Sequence, residues 1–89
     1  MLYYADNGPE WATKLLRVDA PGSGLSGEEW ESAWRKAKAE RWMPKTGWQP
    51  YPGAQSEIRW TGELFLVDED EVPLIQQQIR EQYARYRIA

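Results

Sequence analysis

Glu57–Asp68, EIRWTGELFLVD, holds the longest apolar run of the chain, Leu64-Phe65-Leu66-Val67, and the carboxylates Asp68, Glu69, Asp70 and Glu71 follow without a break. Ile58, Trp60, Leu64 and Leu66 share one parity, and Arg59, Thr61 and Glu63 take the other. That alternation predicts a pleated strand with one apolar face. Phe65 and Val67 make the last residues apolar on both faces, so this end is expected to lie centrally in a sheet. One alternative stays open: a hairpin with a three-residue loop, Gly62 at positive φ and Ile58 opposite Leu64. A comparison within the chain favours the single strand. WATKLLRVD at Trp11–Asp19 shares Trp, Leu, Val and Asp at the same offsets with WTGELFLVD at Trp60–Asp68, and it has no matching glycine.

Each of these stretches precedes an amphipathic segment. Trp11, Leu15 and Val18 would also suit helical spacing, with Asn7, Pro9 and Glu10 as a start signal; the internal resemblance decides for a strand. If the two strands are neighbours joined through a helix, a right-handed parallel crossover is the expected hand. Leu2–Ala5 is short and aromatic, and Asp6-Asn7-Gly8-Pro9 after it is turn chemistry.

The first helix is expected over Ser26–Trp42. Ser26 and Glu29 have capping-box spacing, and Trp30, Ala33, Trp34 and Ala37 form an apolar stripe. Glu28, Glu29 and Glu31 precede Arg35, Lys36, Lys38 and Arg41, in line with the helix dipole; Pro44 stops the helix near Met43. Met43–Ser56, MPKTGWQPYPGAQS, reads as the longest irregular stretch, because Pro44, Pro50 and Pro52 oppose regular pairing. A second helix is expected over Glu71–Arg87, with Val72, Ile75, Ile79, Tyr83 and Tyr86 as its buried stripe and Pro73 tolerated in its first turn.

Composition narrows the function classes. The 89 residues make one domain over 1–89, and 11 basic against 14 acidic residues give a net charge of −3. Without a basic excess, direct binding to nucleic acid or to anionic lipid is not expected. The chain has no Cys and no His. It therefore lacks disulfides, a thiol nucleophile, the commonest general base and the commonest transition-metal ligand. The N-terminal residues have neither the basic region nor the apolar core of a signal peptide, and no run approaches a membrane span, so a cytoplasmic location is the expectation. Six Trp, five Tyr and one Phe offset the small size, since each large ring buries about 150–250 Å².

Gly22–Gly27 fits G-x-G-x-x-G in letters. However, Ala20-Pro21 separates it from the strand, and Glu28, Glu29 and Glu31 would repel a pyrophosphate. No acidic residue stands where the ribose would need it. A connector ending in an N-cap is the expected reading, and no cofactor is expected. Asp68–Glu71 could offer oxygen ligands to Ca²⁺ or Mg²⁺, but the block lacks EF-hand spacing, and its acids are explained by the helix dipole, so no metal is expected either. No pair of residues is marked for catalysis, and no enzymatic activity is expected.

Tryptophan is the anomaly. Trp30, Trp34 and Trp60 fall on expected core faces, and Trp11 and Trp42 are expected to cover the edges of the core, with Trp42 also able to extend into an interface. Trp48 and Tyr51 belong to no periodic element: either they plug the core or they stay exposed as anchors. The expected architecture is α+β, a short mixed or antiparallel sheet of about three strands with two amphipathic helices packed on one face. The expected function is a non-catalytic protein-binding module, a small inhibitor or adaptor such as a phage or mobile element encodes. It would use Trp42, Trp48 and Tyr51 together with the acidic turn Asp68, Glu69, Asp70 and Glu71 against a partner with a basic surface. The alternatives are a small-ligand or carbohydrate-binding domain using the same rings, and a self-associating structural protein, a homodimer in the simplest case.

Overall fold

The computed structural model describes residues 1–22 and 24–86. Among them, five short strands form one sheet: β1 (Leu2–Ala5), β2 (Leu15–Val18), β3 (Ala39–Met43), β4 (Gly47–Pro50) and β5 (Phe65–Val67), in the order β4-β3-β2-β1-β5. Every pairing is antiparallel. The helices are α1 (Gly27–Lys36), α2 (Ala54–Trp60) and α3 (Val72–Tyr86), and a 3-10 turn at Glu69–Glu71 leads into α3. The α+β class and the antiparallel sheet agree with the sequence reading. Five strands and three helices replace the expected three and two.

Cross-strand partners project to the same face of a sheet, so the register sorts the side chains. Tyr3, Ala5, Leu15, Arg17, Glu40, Trp42, Trp48 and Val67 share one face. Helix α3 covers much of it, packing Val72, Ile75 and Ile79 against Ala5, Leu15, Trp42 and Val67. On the opposite face Leu16 packs with Ala54 and Leu64, flanked by Tyr4, Ala39, Tyr51 and Ile58. Helix α1 joins this side, with Trp34 edge-on to Tyr4 at 6.2 Å. The helices therefore lie on both faces, not one. The cause is visible in β2, where the successive residues Leu15 and Leu16 point to opposite sides and are both fully buried. A sheet with two apolar faces needs cover on each.

The opening stretch divides instead of running as one strand. Ala54 and Ile58 are one helical turn apart, and α2 lays both of them on the Leu16 side. The Thr61 hydroxyl donates to the Glu57 carbonyl at 2.7 Å near the end of α2. Gly62, at φ 68°, then turns the chain into β5. The period-2 pattern at Ile58 and Trp60 had a helical solution as well, and Trp60 faces solvent. The two W-x-x-x-L-x-x-V-D stretches do both end in strands, but β1 lies between β2 and β5, so no parallel crossover links them. Their tryptophans, Trp11 and Trp60, are both exposed, which corrects the expected edge-covering and core roles.

Helix α1 stops at Lys36, not near Met43, because the residues that follow turn to strand. Ala37 is extended (φ −64°, ψ 146°). Ala39-Glu40-Arg41-Trp42-Met43 then alternates, with Glu40 and Trp42 buried. Ala, Lys, Glu and Arg are good helix formers, so burying Trp42 in the sheet core overrides local propensity. Gln55 closes the helix from a distance, donating to the carbonyls of Trp34 (3.1 Å) and Ala37 (2.8 Å). At the other end, Ser26 makes no side-chain cap, and the box with Glu29 is reduced to a backbone bond from Glu29 N to Ser26 O (3.0 Å). The supposedly irregular Met43–Ser56 holds the β3–β4 hairpin, in which Met43 pairs with Gly47 at φ 76°, and the start of α2. Pro50 is accommodated because β4 is an edge strand. The second expected helix is present as α3, with Val72, Ile75 and Ile79 buried and Tyr86 exposed. Arg87 and Ser23, which fall in the expected helix and in the expected connector, lie outside the described residues. Among the described residues, no helix is long and apolar enough to cross a membrane.

Candidate functional site

The residues expected to form one contact surface are distributed over the molecule. Trp42 belongs to the α3-side core and is 7% exposed, with the Arg80 guanidinium 5.3 Å from its ring. Burial leaves it almost no surface to present to a partner. Trp48 stands opposite Trp42 in the β3–β4 hairpin and is half-buried. Its ring lies 6.1 Å from that of Tyr3 and carries the Arg17 guanidinium at 4.2 Å. Arg17 in turn holds the buried Glu40 carboxylate, through Nε at 2.9 Å and a second guanidinium nitrogen at 2.7 Å.

Tyr51 packs on the opposite face of the sheet. Lys14 Nζ donates to Glu57 at 2.9 Å and to the Tyr51 hydroxyl at 3.3 Å, and that hydroxyl donates to Glu57 Oε2 at 3.3 Å. This closed triangle ties β2 to α2. Burial pushes the Lys14 amine down, but the hydrogen bonds to Glu57 and Tyr51 and their charges outweigh it and hold the amine above its ordinary value. Burial also raises the Tyr4 phenol, against a smaller opposing pull from Arg59. Both groups bind their proton more tightly in the folded than in the unfolded chain. Their contribution is complete below the unfolded values, 10.0 for Tyr4 and 10.5 for Lys14, and is lost as pH rises through the raised folded ones. The melting temperature is therefore expected to be level from about pH 8 to pH 10 and to fall beyond that, with a shallower fall in Lys14→Met. An identical alkaline slope in that variant would show that the triangle does not form.

The acidic turn sits on the far side of the sheet from Trp48, since β5 and β4 are the two outer strands. Asp68, Glu69 and Asp70 are exposed and Glu71 is half-buried. Among the described residues, no cluster of three or more carboxylates could hold a metal ion. The aromatic and acidic halves of the expected surface are thus not brought together.

Other residues are better placed. Phe65 and Leu66 are 49% and 59% exposed, on opposite faces of β5. Two adjacent apolar residues suggest a central strand, yet β5 lies at the sheet's edge, and its outer side has no strand partner among the described residues. The signal in the sequence is the shortness of the run between Glu63 and Asp68, because charges flanking a short strand are how edges are protected. A second apolar exposure pairs Trp11, in the β1–β2 loop, with Leu74, on the first turn of α3. Leu74 falls outside the Val72, Ile75, Ile79 stripe, and that departure marks it. The chain matches no protein-family model, no curated protein and no solved structure.

Proposed function

We propose that this protein is a non-catalytic protein-binding module, working in the cytoplasm as an inhibitor or adaptor, which takes up an extended basic segment of its partner along the outer edge of β5. The observation that carries this reading is the edge itself: Phe65 and Leu66 are exposed on a strand whose outer edge has no strand partner among the described residues, between Glu63 and the exposed Asp68, Glu69 and Asp70. A strand added here would gain main-chain hydrogen bonds, and its alternate side chains would meet Phe65 on one face and Leu66 on the other.

Charge favours a basic partner over a second copy. In antiparallel self-pairing of β5, registers centred between Phe65 and Leu66, on Leu66, or between Leu66 and Val67 set Glu63 across from Asp68, Glu69 or Asp70 of the other chain. Directly opposed like charges destabilise strand pairs, whereas Lys or Arg at those positions would be attracted. A carbohydrate site asks for open rings on one surface. Trp48 and Tyr51 are half-buried on opposite faces, which favours the protein-binding reading.

The test is fluorescence anisotropy with a labelled octapeptide of alternating lysine and valine, beside its glutamate–valine counterpart. The lysine peptide is expected to bind and the glutamate peptide not to. Phe65→Thr with Leu66→Thr should weaken binding about tenfold. Asp68→Asn with Asp70→Asn should do so several-fold and flatten the salt dependence. Equal binding of the two peptides, or no slowing of amide exchange in β5 on binding, would overturn the reading.

A further inference from the structure

The β1–β2 loop is longer than a hairpin requires, and it is held firmly. The Asp6 carboxylate accepts from the backbone N–H of Thr13 (2.8 Å) and Lys14 (3.0 Å) and from the Thr13 hydroxyl. Inside the loop, Trp11 N and Ala12 N both donate to the Gly8 carbonyl, at 3.0 and 2.9 Å. Ala12 is fully buried in the α3-side core, and its carbonyl accepts from Gln82 Nε2 of α3 at 2.9 Å. The residue just before this anchor, Trp11, points outward and is 69% exposed. A large aromatic ring on a pinned loop is surface whose ordering cost has already been met by folding.

Between that loop and α3 lies an open groove of about 540 Å³. Pro9, Trp11 and Leu74 supply its apolar lining, and Glu10, Gln77 and Glu81 are among its polar residues. Leu74 is 60% exposed. Of the described residues that line it, both charged ones are carboxylates, and none is Lys or Arg. Among the described residues, neither Glu10 nor Glu81 takes part in an ion pair. Glu81 accepts a neutral hydrogen bond from Gln77 Nε2 at 3.1 Å.

We infer that this groove is a docking site for an arginine or lysine side chain of a protein partner, its aliphatic stem on Leu74 and Pro9, its cationic head beside Trp11 and the Glu10 and Glu81 carboxylates. Each part of such a side chain finds its complement: apolar surface for the methylenes, an indole face for cation–π attraction, and acceptors for the N–H groups. Among the described residues, the lining offers no cation to pair with an anionic ligand. The volume exceeds what a single metal ion needs and suits one long side chain with its neighbours. The inference agrees with the basic partner proposed for β5, but it concerns a separate surface and is tested without that strand.

The experiment follows the Trp11 indole N–H in the ¹⁵N spectrum of the full chain, assigned through Trp11→Phe. The probe is acetyl-Leu-Arg-Leu-amide, and the control replaces arginine by citrulline, which keeps the shape and removes the charge. The arginine peptide should shift the Trp11 signal saturably, with the citrulline peptide about tenfold weaker. Glu10→Gln with Glu81→Gln should weaken the arginine peptide about five- to tenfold and remove most of its salt dependence, at an unchanged melting temperature. Phe65→Thr with Leu66→Thr should leave the response intact, so failure at β5 and failure here remain distinct. Equal binding of arginine and citrulline peptides would overturn the inference, as would a Trp11 signal that stays still while others move. Choline binding as tightly as the peptide would assign the groove to a small cation instead. A doubled mass in sedimentation, reversed by the peptide, would assign it to a second copy.

Discussion

Trp42→Ala is expected to lower the stability of the fold by about 3–5 kcal/mol, the usual cost of emptying a large aromatic site in a core. Trp42 packs with Leu15, Ile75 and Ile79 in the cluster that joins α3 to the sheet, and it stands across the hairpin from Trp48. A domain of this length holds roughly 5–10 kcal/mol in all, so the loss takes a large share of the total and leaves a substantial unfolded population in mild urea. The same truncation at Trp60 or Trp11, both exposed, should stay within about 0.5 kcal/mol of the unsubstituted chain. Urea titrations of the three variants, with matched m-values, make the comparison. If Trp42→Ala costs as little as Trp60→Ala, the residue is not in the core, and a helix running from Ser26 to Trp42 with Trp42 at an interface becomes the better description. The contrast is sharp because the residues are chemically identical and differ only in placement.

Those three tryptophans also show what could be read from sequence and what could not. Val72, Ile75 and Ile79 recur at a spacing that only a helix turns to one side, and α3 is where that spacing places it. Leu15 to Val18 is apolar on both parities, and β2 is buried on both faces. In such segments, local pattern and tertiary burial agree. Trp42 lies where they conflict: Ala37 to Arg41 consists of good helix formers, and strand becomes the lower-energy choice through burial of Trp42 and pairing with β4 and with β2, more than twenty residues earlier. Ile58 and Trp60 are ambiguous for a different reason. A short apolar alternation satisfies period 2 as well as part of a helical turn, and nothing local says that Ala54 and Ile58 will be needed to cover Leu16. The candidate surfaces were harder still to read. Phe65 and Leu66 look like core residues by composition, and only the strand order makes them an edge. Trp48 and Tyr51 are three residues apart in sequence, yet the hairpin and the chain leaving it send them to opposite faces of the sheet.

The corner of the α3-side face where Arg17, Glu40 and Trp48 meet gives the second large expected effect. Val72, Ile75 and Ile79 of α3 cover Ala5, Leu15, Trp42 and Val67, and Tyr83 reaches the Met43 sulfur. Arg17 covers Glu40 instead, lying between its carboxylate and the Trp48 ring. Lys38, the other cation near that carboxylate, stands 4.0 Å away and is largely exposed. Arg17→Met keeps an apolar stem over Trp48 but strands the Glu40 carboxylate in a nearly closed site. The cost is expected at about 2–3 kcal/mol, below that of a fully buried pair because water still reaches Arg17. Glu40→Leu alone should cost less than about 1 kcal/mol, since the freed guanidinium keeps its place on Trp48 and its access to solvent. The double variant, Arg17→Met with Glu40→Leu, should return to within about 1 kcal/mol of the original chain, because no charge is left without its partner. The cycle then yields a coupling of about 2 kcal/mol between the two positions. Additive single effects would show that the carboxylate is solvated and that Arg17 acts only through its contact with Trp48. A coupling of the expected size would mean that Arg17 covers this corner of the sheet by neutralising Glu40 and lying on Trp48. Trp48 would then be committed to the fold, unlike Trp11 on its pinned loop, Trp60 at the end of α2 and the Phe65–Leu66 edge of β5, which stay open to solvent.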